Sequence, residues 1–469
     1  MQRLLHEVRE TNVNISIEEP LRRDPVSVFS SIREKFAPGC FLLESLEGTS
    51  KTARYSFVGF EPISIFRARN RLVEIDGETF EPCDPYEALQ AYFKSTRCGG
   101  SQVAPFSGGM VGFFGYGTVK SFERVKEPVS MDNHLPDACF VVPRHLICID
   151  HLNSRTILVS HGRLDDLREA LKSVRDCESE SIAIGEGRPN VDRDEFIGMI
   201  ERAKESILDG EIFQVVLSRR TDFRIRGEPI GMYRALRALN PSPYLFYLDF
   251  DDVQLLGSSP EMLVRLEGRK LTTRPLAGTR PRSSDVEEDE KLKMDMLLDD
   301  KERAEHLMLV DLHRNDMGRV SEYGTVKVTE LMGVEKYSHV QHIVSNVESV
   351  IRNDCNAFDA FRSCFPAGTV TGAPKIRAME IISDLERAPR GPYAGAVGYF
   401  DFNGNMDFAI TIRSIVISGN RASVQAGAGI VADSIPEREY RETEQKMGAM
   451  LQAIGSPGEG GHHNAHSAR

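Results

Sequence analysis

The sequence has no tryptophan and no long hydrophobic run. Its apolar stretches stay below the roughly 18 residues of a membrane-spanning helix, and its first residues, MQRLLHEVRETN, lack the apolar centre of a signal peptide. Basic residues are outnumbered, because 58 Lys and Arg stand against 70 Asp and Glu, for a net charge of -12. We therefore expect a cytoplasmic protein that binds neither nucleic acid nor an anionic membrane.

The cysteines show no spacing that is typical of a zinc or redox site, since no CxxC motif occurs. Reduced and mostly buried thiols are the expected state, as is usual in the cytosol. The eight cysteines are Cys40, Cys83, Cys98, Cys139, Cys148, Cys177, Cys355 and Cys364.

The chain is long enough for more than one hydrophobic core. At 469 residues, with 41% hydrophobic and 27% charged residues, it predicts a large globular protein of two domains or one elaborate body. The polar, glycine-containing stretch 175–190 is the best linker. It separates a predicted N-terminal domain, residues 1–180, from a second domain, residues 188–455. The Gly-, His- and Ser-rich tail, residues 456–469, is predicted to be disordered.

Periodicity and capping signals predict mixed secondary structure. Asp192 and Glu195 form a capping box at the start of a helix, which Gly210 should end. Ser434 and Glu437 form a similar box further on. A charged segment with apolar positions at helical spacing predicts helix over 285–310, and runs rich in β-branched and aromatic residues predict strands over 40–46, 55–58, 140–149 and 212–225.

Two predicted helices carry carboxylates on one face. Glu302 and Glu305 lie three residues apart, and Glu439, Glu442 and Lys446 fall at positions i, i+3 and i+7. A pair of solvated acidic helices would explain this pattern in an arbitrary protein. Carboxylates that retain a few waters are also what Mg²⁺ prefers, so a magnesium site is the alternative.

The last quarter of the chain combines glycines, hydroxyls, one Arg, one Lys and carboxylates. The motifs are FPAGTVTGAPKIRAME (365–380), YAGAVGYF (393–400), TIRS (411–414) and QAGAGIVADSIPEREYRETEQK (425–446). This ordered set resembles the chorismate-binding enzymes, most closely the component I subunits of anthranilate synthase, over roughly residues 28–455. The resemblance implies an α+β fold of large antiparallel β-sheets packed face to face, with outer helices and two interleaved subdomains.

The same resemblance implies the metal and its ligands. Mg²⁺ would be held by Glu305 and Glu442, with Glu302 and Glu439 as alternate or outer ligands. The metal would screen one carboxylate of chorismate and draw electrons as the C4 hydroxyl departs.

Three residues are implied to act in catalysis. Glu261, in GSSPEMLVR, matches the family's general acid, although a Glu at such a place is otherwise a solvent-facing strand residue. His342, in YSHVQHIVSNV, matches the residue tied to loss of pyruvate, and Thr369 matches a substrate contact. The implied substrate-binding residues are Gln214, Ala277, Gly278, Thr279, Thr369, Tyr393, Arg413, Gly427, Ala428, Gly429 and Lys446.

Two positions distinguish the branches of the family. Relatives that activate water place Lys where this chain has Gln214, and aminodeoxychorismate synthases place a nucleophilic Lys where it has Ala277. Ammonia is then the direct attacker, which favours anthranilate formation. The sequence shows no glutaminase nucleophile elbow, so the resemblance implies a separate glutamine amidotransferase subunit, component II. An aminodeoxychorismate synthase component I, or a binding protein without activity, remains as an alternative.

A second set of motifs resembles the family's tryptophan-inhibition element. FLLESLEG (41–48), RYSFVGFEP (54–62) and NPSPYLFYL (240–248) would form an apolar slot for an indole and its ammonium group. A buried strand followed by a turn would explain the same residues without a ligand. The implied inhibitor residues are Leu43, Glu44, Ser45, Arg54, Pro241, Ser242, Pro243 and Tyr244.

Overall fold

The computed structural model describes residues 9–21, 23–46, 54–80, 83–99, 103–126, 135–175, 182–250, 252–337 and 340–455, and the side chains of these except 9–12 and 97–99. Residues 176–181 of the predicted linker and the whole predicted tail therefore lie outside the described residues. Six cysteines are unpaired within them. None of the helices described is both long and apolar enough to cross a membrane.

The helices begin where capping residues allow. The side chain of Asp192 accepts a hydrogen bond from the backbone N–H of Glu195 at 2.8 Å, which confirms the predicted start. The predicted Ser434 box is wrong, because Ser434 Oγ accepts instead from the backbone of Val431 and the helix starts later. The α-helices are α1 Pro25–Phe36, α2 Pro85–Ser95, α3 Leu164–Lys172, α4 Arg193–Leu208, α5 Ile230–Leu239, α6 Val286–Leu298, α7 Asp300–Gly318, α8 Ala357–Cys364, α9 Lys375–Leu385 and α10 Pro436–Gly455.

The strands occur throughout the described part of the chain, separated by turns and helices. They are β1 Arg9–Asn12, β2 Asn14–Glu18, β3 Cys40–Glu44, β4 Tyr55–Arg69, β5 Leu72–Ile75, β6 Glu78–Phe80, β7 Thr96–Gly99, β8 Gly109–Phe114, β9 Ala138–Asp150, β10 Arg155–Ser160, β11 Ala183–Ile184, β12 Arg188–Pro189, β13 Gln214–Arg226, β14 Tyr244–Phe250, β15 Val253–Ser259, β16 Met262–Glu267, β17 Lys270–Thr273, β18 Leu276–Pro281, β19 Lys327–Lys336, β20 Val340–Val350, β21 Gly372–Ala373, β22 Ala396–Asp401, β23 Met406–Ile410, β24 Ser414–Ser418 and β25 Arg421–Ile430.

Antiparallel pairing joins most of these strands into one continuous path. It runs β13, β25, β24, β15, β14, β3, β4, β9, β8, β22, β23, β16, β17 and β20, and β18 and β19 also pair with β20. The strands from before residue 180 thus form one block, β3, β4, β9 and β8, with strands from after residue 188 on both sides of it. The predicted boundary divides the chain without dividing the sheet, and as a domain boundary it stays a prediction.

Two kinds of hydrophobic core show how the layers pack. One cluster contains only strand and loop residues, among them Phe41, Phe113 and Phe246, and lies between sheet faces. The other clusters add helices: α1, α5 and α10 pack on one outer face, and α2 and α8 pack on another. The expected α+β fold, with antiparallel sheets facing each other under outer helices, is confirmed.

Candidate active site

The centre of the site is the pair of strands β13 and β25, where glycine is required. A Cβ on Gly427 would lie 2.8 Å from the hydroxyl of Tyr393, and a Cβ on Gly429 would lie 2.6 Å from Nε2 of Gln214. Both distances are shorter than real Cβ contacts. The two glycines therefore let the phenol and the amide close over β25.

The backbone of β25 presents donors to this space. Lys446 Nζ donates to the carbonyl of Gly427 at 3.0 Å, so the backbone N–H and C=O groups of Gly427 point away from β13. Residues two apart in a strand point the same way, so the N–H groups of Gly427 and Gly429 share that edge. Ala428 points to the opposite face, where its methyl packs in the cluster under α4 and α9. Its methyl therefore lies away from the site, and the substrate-binding role of Ala428 stays a prediction.

Glu261 is a buried carboxyl with unused hydrogen-bonding capacity. It is 5% exposed, and within the described residues its Oε1 is buried without a partner. The same holds for the hydroxyl of Thr369, which is close enough to lower the pKa of the carboxyl but does not meet hydrogen-bond geometry. Burial is the largest effect and raises the pKa of Glu261 to about 7, against the opposing charges of Lys446 and Arg413.

His342, on β20, is held in one tautomer. Its Nδ1 lies 2.9 Å from the carbonyl of Gly278 and 3.1 Å from Oγ1 of Thr279. A carbonyl only accepts, so Nδ1 carries the proton and Nε2 keeps a free lone pair. Burial lowers the pKa of His342 to about 4, so the ring is neutral at physiological pH. Gly278 adopts φ +62°, a conformation that favours glycine, and Ala277 before it is buried.

The four predicted metal ligands already have partners within the protein. Gln214 Nε2 donates to Glu305 Oε1 at 3.0 Å, which brings together two residues 91 positions apart. Arg280 forms an ion pair with Glu302 at 3.1 Å, and Lys446 forms one with Glu442 at 2.6 Å. For Glu439, the side chain of Ser434 provides a hydrogen bond.

Crowding among these carboxylates favours a cation. The pKa of Glu305 is raised, first by burial and then by the charges of Glu302 and Glu442. The pKa of Glu439 is raised by burial and by Glu442. The described residues form no group of three or more ligands arranged around a metal. Mg²⁺, however, usually takes one or two carboxylates together with waters and substrate oxygens, so Glu305 and Glu442 fit this ion.

Arg413 is the cation best placed for a substrate carboxylate. Burial lowers its pKa, with Tyr393, Glu442 and Glu261 opposing that shift, which places all three near the guanidinium. In the described part of the chain the guanidinium makes no ion pair. Its backbone has φ +51°, which is uncommon for a residue with a side chain. A half-buried guanidinium that forms no ion pair with the described residues is suited to bidentate recognition of a carboxylate.

Three buried polar residues near the site were not predicted. Thr411 accepts a backbone hydrogen bond from Ala394, next to Tyr393, and its Oγ1 is buried without a partner among the described residues. The TIRS motif contained this signal. Glu386 and Arg390 form a buried ion pair at 2.7 Å. They lie between α9 and β22, where the sequence has no periodicity that marks them.

The predicted inhibitor segments meet at a separate cavity of about 880 Å³. Strands β3 and β14 pair directly, which places Leu245 opposite Glu44. The carboxylate of Glu44 is engaged by Tyr233 at 2.8 Å and Arg237 at 3.1 Å. Of the predicted inhibitor residues, Leu43, Glu44, Ser45, Arg54, Pro243 and Tyr244 line the cavity, whereas Pro241 and Ser242 lie outside its lining.

Other polar groups in this cavity are already paired. Arg54 binds Asp150 through two hydrogen bonds of 2.9 Å. Tyr244 donates to Asp407 at 3.0 Å, and Arg265 pairs with the same carboxylate at 2.6 Å. A ligand here would join an existing polar network.

Comparison with known proteins agrees with this geometry. The family model "chorismate binding enzyme" matches residues 39–452. Anthranilate synthase component 1 of Methanothermobacter marburgensis is 45% identical over 95% of this chain and 97% of its own. The Thermus thermophilus protein of the same name is 44% identical over 92% and 95%.

Solved structures show the same relationship. Anthranilate synthase component I from Streptococcus pneumoniae aligns with TM-score 0.76 and 37% identity, covering 85% of this chain and 92% of its own. The menaquinone-specific isochorismate synthase from Escherichia coli, at TM-score 0.74 and 21% identity over 97% of each chain, shares the fold. The chain therefore belongs to the chorismate-binding enzymes, among the anthranilate synthase component 1 proteins.

Proposed function

We propose that the protein converts chorismate and ammonia to anthranilate and pyruvate. The names of its relatives support the reaction, and one observation carries it. A buried carboxyl, Glu261, keeps an unpartnered oxygen beside an unpartnered hydroxyl, Thr369, and has a pKa of about 7. Such a group holds a proton near neutral pH and has no use for it within the protein.

The first step is amination at C2 of the ring. Hydroxide is a poor leaving group, so Glu261 donates its proton to the C4 hydroxyl, which departs as water while ammonia attacks C2. General acid catalysis of this kind contributes about 10²- to 10⁴-fold in rate. Gln214 and Ala277 offer neither a base to activate water nor an amine to attack the ring.

The second step is elimination of pyruvate. The aminated ring loses the proton on C2, the bond from C3 to the enolpyruvyl oxygen breaks, and the ring becomes aromatic. His342 is suited to accept this proton, because its Nδ1 is committed to Gly278 and its Nε2 is free. A neutral ring with a pKa of about 4 is available as a base throughout the physiological range.

Binding of a dianion by an acidic protein needs local positive charge. Arg413 and Lys446, with the N–H groups of Gly427 and Gly429, supply it for one carboxylate. Mg²⁺, held by Glu305 and Glu442, would neutralise the other carboxylate and withdraw electrons from the ring. The pKa of Glu305 is raised first by burial and then by the charges of Glu302 and Glu442, and a cation beside these carboxylates would oppose that shift, which supports this assignment.

A partner subunit and an inhibitor complete the proposal. The relatives are named component 1, and the sequence has no glutaminase nucleophile, so a glutamine amidotransferase, component II, would supply ammonia. Tryptophan would bind in the cavity beside the paired strands β3 and β14 and reduce activity from there. The cavity is large enough for an indole, and it is lined by Ser45, Pro243 and Tyr244.

The test uses the purified protein without any partner. Incubation with chorismate, Mg²⁺ and ammonium at raised pH should produce fluorescent anthranilate and an equal amount of pyruvate. Accumulation of an aminated product that keeps its enolpyruvyl group would instead identify an aminodeoxychorismate synthase component. No consumption of chorismate would leave a binding protein and overturn the proposal.

A further inference from the structure

A buried ion pair lies behind the proposed active site. Arg390 and Glu386, 3% and 7% exposed, follow α9 and precede β22. The guanidinium donates twice to the carboxylate, from Nε to Oε2 at 2.9 Å and from Nη2 to Oε1 at 2.7 Å. This is the bidentate geometry in which an Arg–carboxylate contact has the highest directional specificity.

The remaining donors of Arg390 reach two backbone segments of the site. Nη1 donates to the carbonyl of Val370 at 2.7 Å, and Nη2 donates to the carbonyl of Val216 at 2.7 Å. Val370 directly follows Thr369, and Val216 is two residues after Gln214 on β13. One side chain therefore links the turn that carries the catalytic hydroxyl to the strand that carries the amide.

The same guanidinium lies over aromatic rings. Its Cζ is 4.8 Å from the ring centre of Tyr116 and 5.7 Å from that of Tyr393. Glu386 extends the connection, because its Oε1 also accepts from the backbone N–H and the hydroxyl of Ser218, at 2.8 and 2.9 Å. Strand β13, the turn at Thr369 and the ring of Tyr393 thus share one anchor.

Stability alone does not explain such a pair. Removing two charges from water costs about as much as their attraction returns, so a buried ion pair is weak evidence of a stabilising role. Its contacts are instead with segments that present groups to the substrate. A shift of about 1 Å in such groups can reduce a rate about 100-fold.

We propose that Arg390, oriented by Glu386, is a positioning residue for the proposed reaction. It sets the hydroxyl of Thr369 against Glu261 and the ring of Tyr393 against β25, and it acts through these groups without touching the substrate. This inference rests on the proposed function. Lys is not an equivalent residue here, since a single ammonium cannot span the two carbonyls and the carboxylate in a planar fork.

The experiment combines Arg390→Lys with Thr369→Ala. Arg390→Lys should lower kcat/KM for chorismate about 100-fold, mainly in kcat, with little change in the urea unfolding midpoint. In the Thr369→Ala background the same change should cost less than about threefold, because residues that act as one unit are not additive. Arg33→Lys is the matched control, since Arg33 also pairs with a buried carboxylate, Asp249, and lies over a tyrosine ring. It should leave kcat/KM within about twofold.

Two results would overturn the inference: full activity in Arg390→Lys, or losses that multiply with those of Thr369→Ala. If Arg390→Lys does not fold, Glu386→Gln is measured in its place, and it should show the same lack of additivity. A parent protein that binds chorismate but makes no anthranilate would overturn the proposed function alone. In a parent protein that does make anthranilate, full activity of Arg390→Lys would overturn the positioning role alone.

Discussion

At the scale of single residues, burial decides the chemistry of the two proposed proton-transfer groups. Glu261 and His342 are both 5% exposed, yet burial shifts their pKa values in opposite directions, to about 7 and about 4. Removal from water disfavours the charged form of each. Near pH 7 the carboxyl therefore retains a proton to donate and the imidazole retains a lone pair to accept one, which are the roles the two steps require.

The first prediction is that Glu261→Gln loses activity and gains stability. The variant keeps the shape of the side chain and removes its proton, so we expect kcat to fall at least about 100-fold. In the parent protein, charging a carboxyl whose pKa is about 7 instead of the ordinary 4.5 costs about 3 kcal/mol of unfolding free energy above pH 7. Gln avoids this cost.

The sign of the effect gives a control within the same experiment. Below pH 4.5 the carboxyl is neutral in both the folded and the unfolded chain, and the penalty grows as the pH rises from 4.5 to 7. Urea titrations should therefore show Glu261→Gln more stable than the parent at pH 8 and nearly equal to it at pH 4. Equal stability at both values would mean that the carboxyl is not buried in its charged form.

The second prediction separates the two steps of the reaction. His342→Met removes the base and keeps the volume, so amination should continue while elimination of pyruvate slows. The aminated, non-aromatic intermediate should then accumulate and be visible by chromatography. Loss of chorismate consumption together with loss of anthranilate would show that His342 acts in the first step.

At the scale of helices and strands, the proposed metal site depends on two helices that come from distant parts of the sequence. Helix α7 carries Glu302 and Glu305, and α10 carries Glu439 and Glu442. The pKa of Glu305 is raised first by burial, then by the charge of Glu302 and, from the other helix, by that of Glu442, so the two helices interact electrostatically. A cation between them would replace repulsion with attraction.

The third prediction tests this coupling. Glu305→Ala or Glu442→Ala should abolish turnover, and calorimetry in the presence of chorismate should show that Mg²⁺ affinity falls at least about tenfold. Glu437→Ala is the matched control, since Glu437 lies exposed on the same helix, and it should change neither quantity. Near-normal rates in both site variants, or activity of the parent protein in the presence of a chelator, would exclude the assignment.

Local signals in the sequence predicted elements better than they predicted boundaries. The cap at Asp192 and the strands over 40–46 and 140–149 appear as expected, since capping chemistry and β-branched runs act locally. Helix over 285–310 is two helices, because the side chain of Asp299 accepts from the backbone of Lys301 at 2.9 Å and starts a new one. Ser434 does not cap α10, because its hydroxyl accepts instead from the backbone N–H of Val431.

Distant contacts could not be read from the chain alone. The motifs that resemble the family named Gln214 and Glu305 separately, but their 3.0 Å hydrogen bond joins α7 to β13 across 91 positions of the chain. The burial of the Ala428 methyl could not be read from the chain either, because a three-residue motif does not say which face of a strand is buried. Glu386 and Arg390 carry no local signal at all.

At the scale of the whole molecule, the proposed inhibitor cavity and the active site share one sheet. Asn240, at the start of the inhibitor segment, donates to the hydroxyl of Ser258 at 3.2 Å. The backbone N–H of Ser258 donates to the carbonyl of Arg413 at 3.0 Å. Two hydrogen bonds thus connect Asn240 to the backbone of Arg413, the proposed substrate-binding cation. A ligand that shifts Asn240 could change where Arg413 lies.

This connection changes how inhibition should work. The pairing of β3 with β14 fixes the two inhibitor segments relative to each other, so tryptophan would act less by moving domains than by altering this sheet. Inhibition then requires only that tryptophan and chorismate bind most tightly to different arrangements of Arg413. Coupling of this kind is typically about 1–3 kcal/mol, which corresponds to about 5- to 150-fold in affinity.

The fourth prediction is that filling the cavity relieves inhibition and spares catalysis. Ser45 is half-buried in the cavity lining, and a phenyl ring at this position would occupy the space of an indole. Ser45→Phe should raise the tryptophan concentration for half inhibition at least about tenfold, within the usual range of allosteric coupling. Activity without tryptophan should stay within about twofold of the parent, because Ser45 lines a cavity whose lining includes none of the proposed catalytic residues.

Ser45→Ala is the matched control for this experiment. It removes the hydroxyl without filling the cavity, so inhibition should change by less than about threefold, the value of a typical neutral hydrogen bond. Inhibition undiminished in Ser45→Phe would place the inhibitor elsewhere. Tryptophan that competes with chorismate and whose affinity falls in Arg413→Ala to the same extent as that of the substrate would place it in the active site. The shared sheet predicts noncompetitive or mixed inhibition by tryptophan. This inhibition should be lost when the cavity beside the paired strands β3 and β14 is filled.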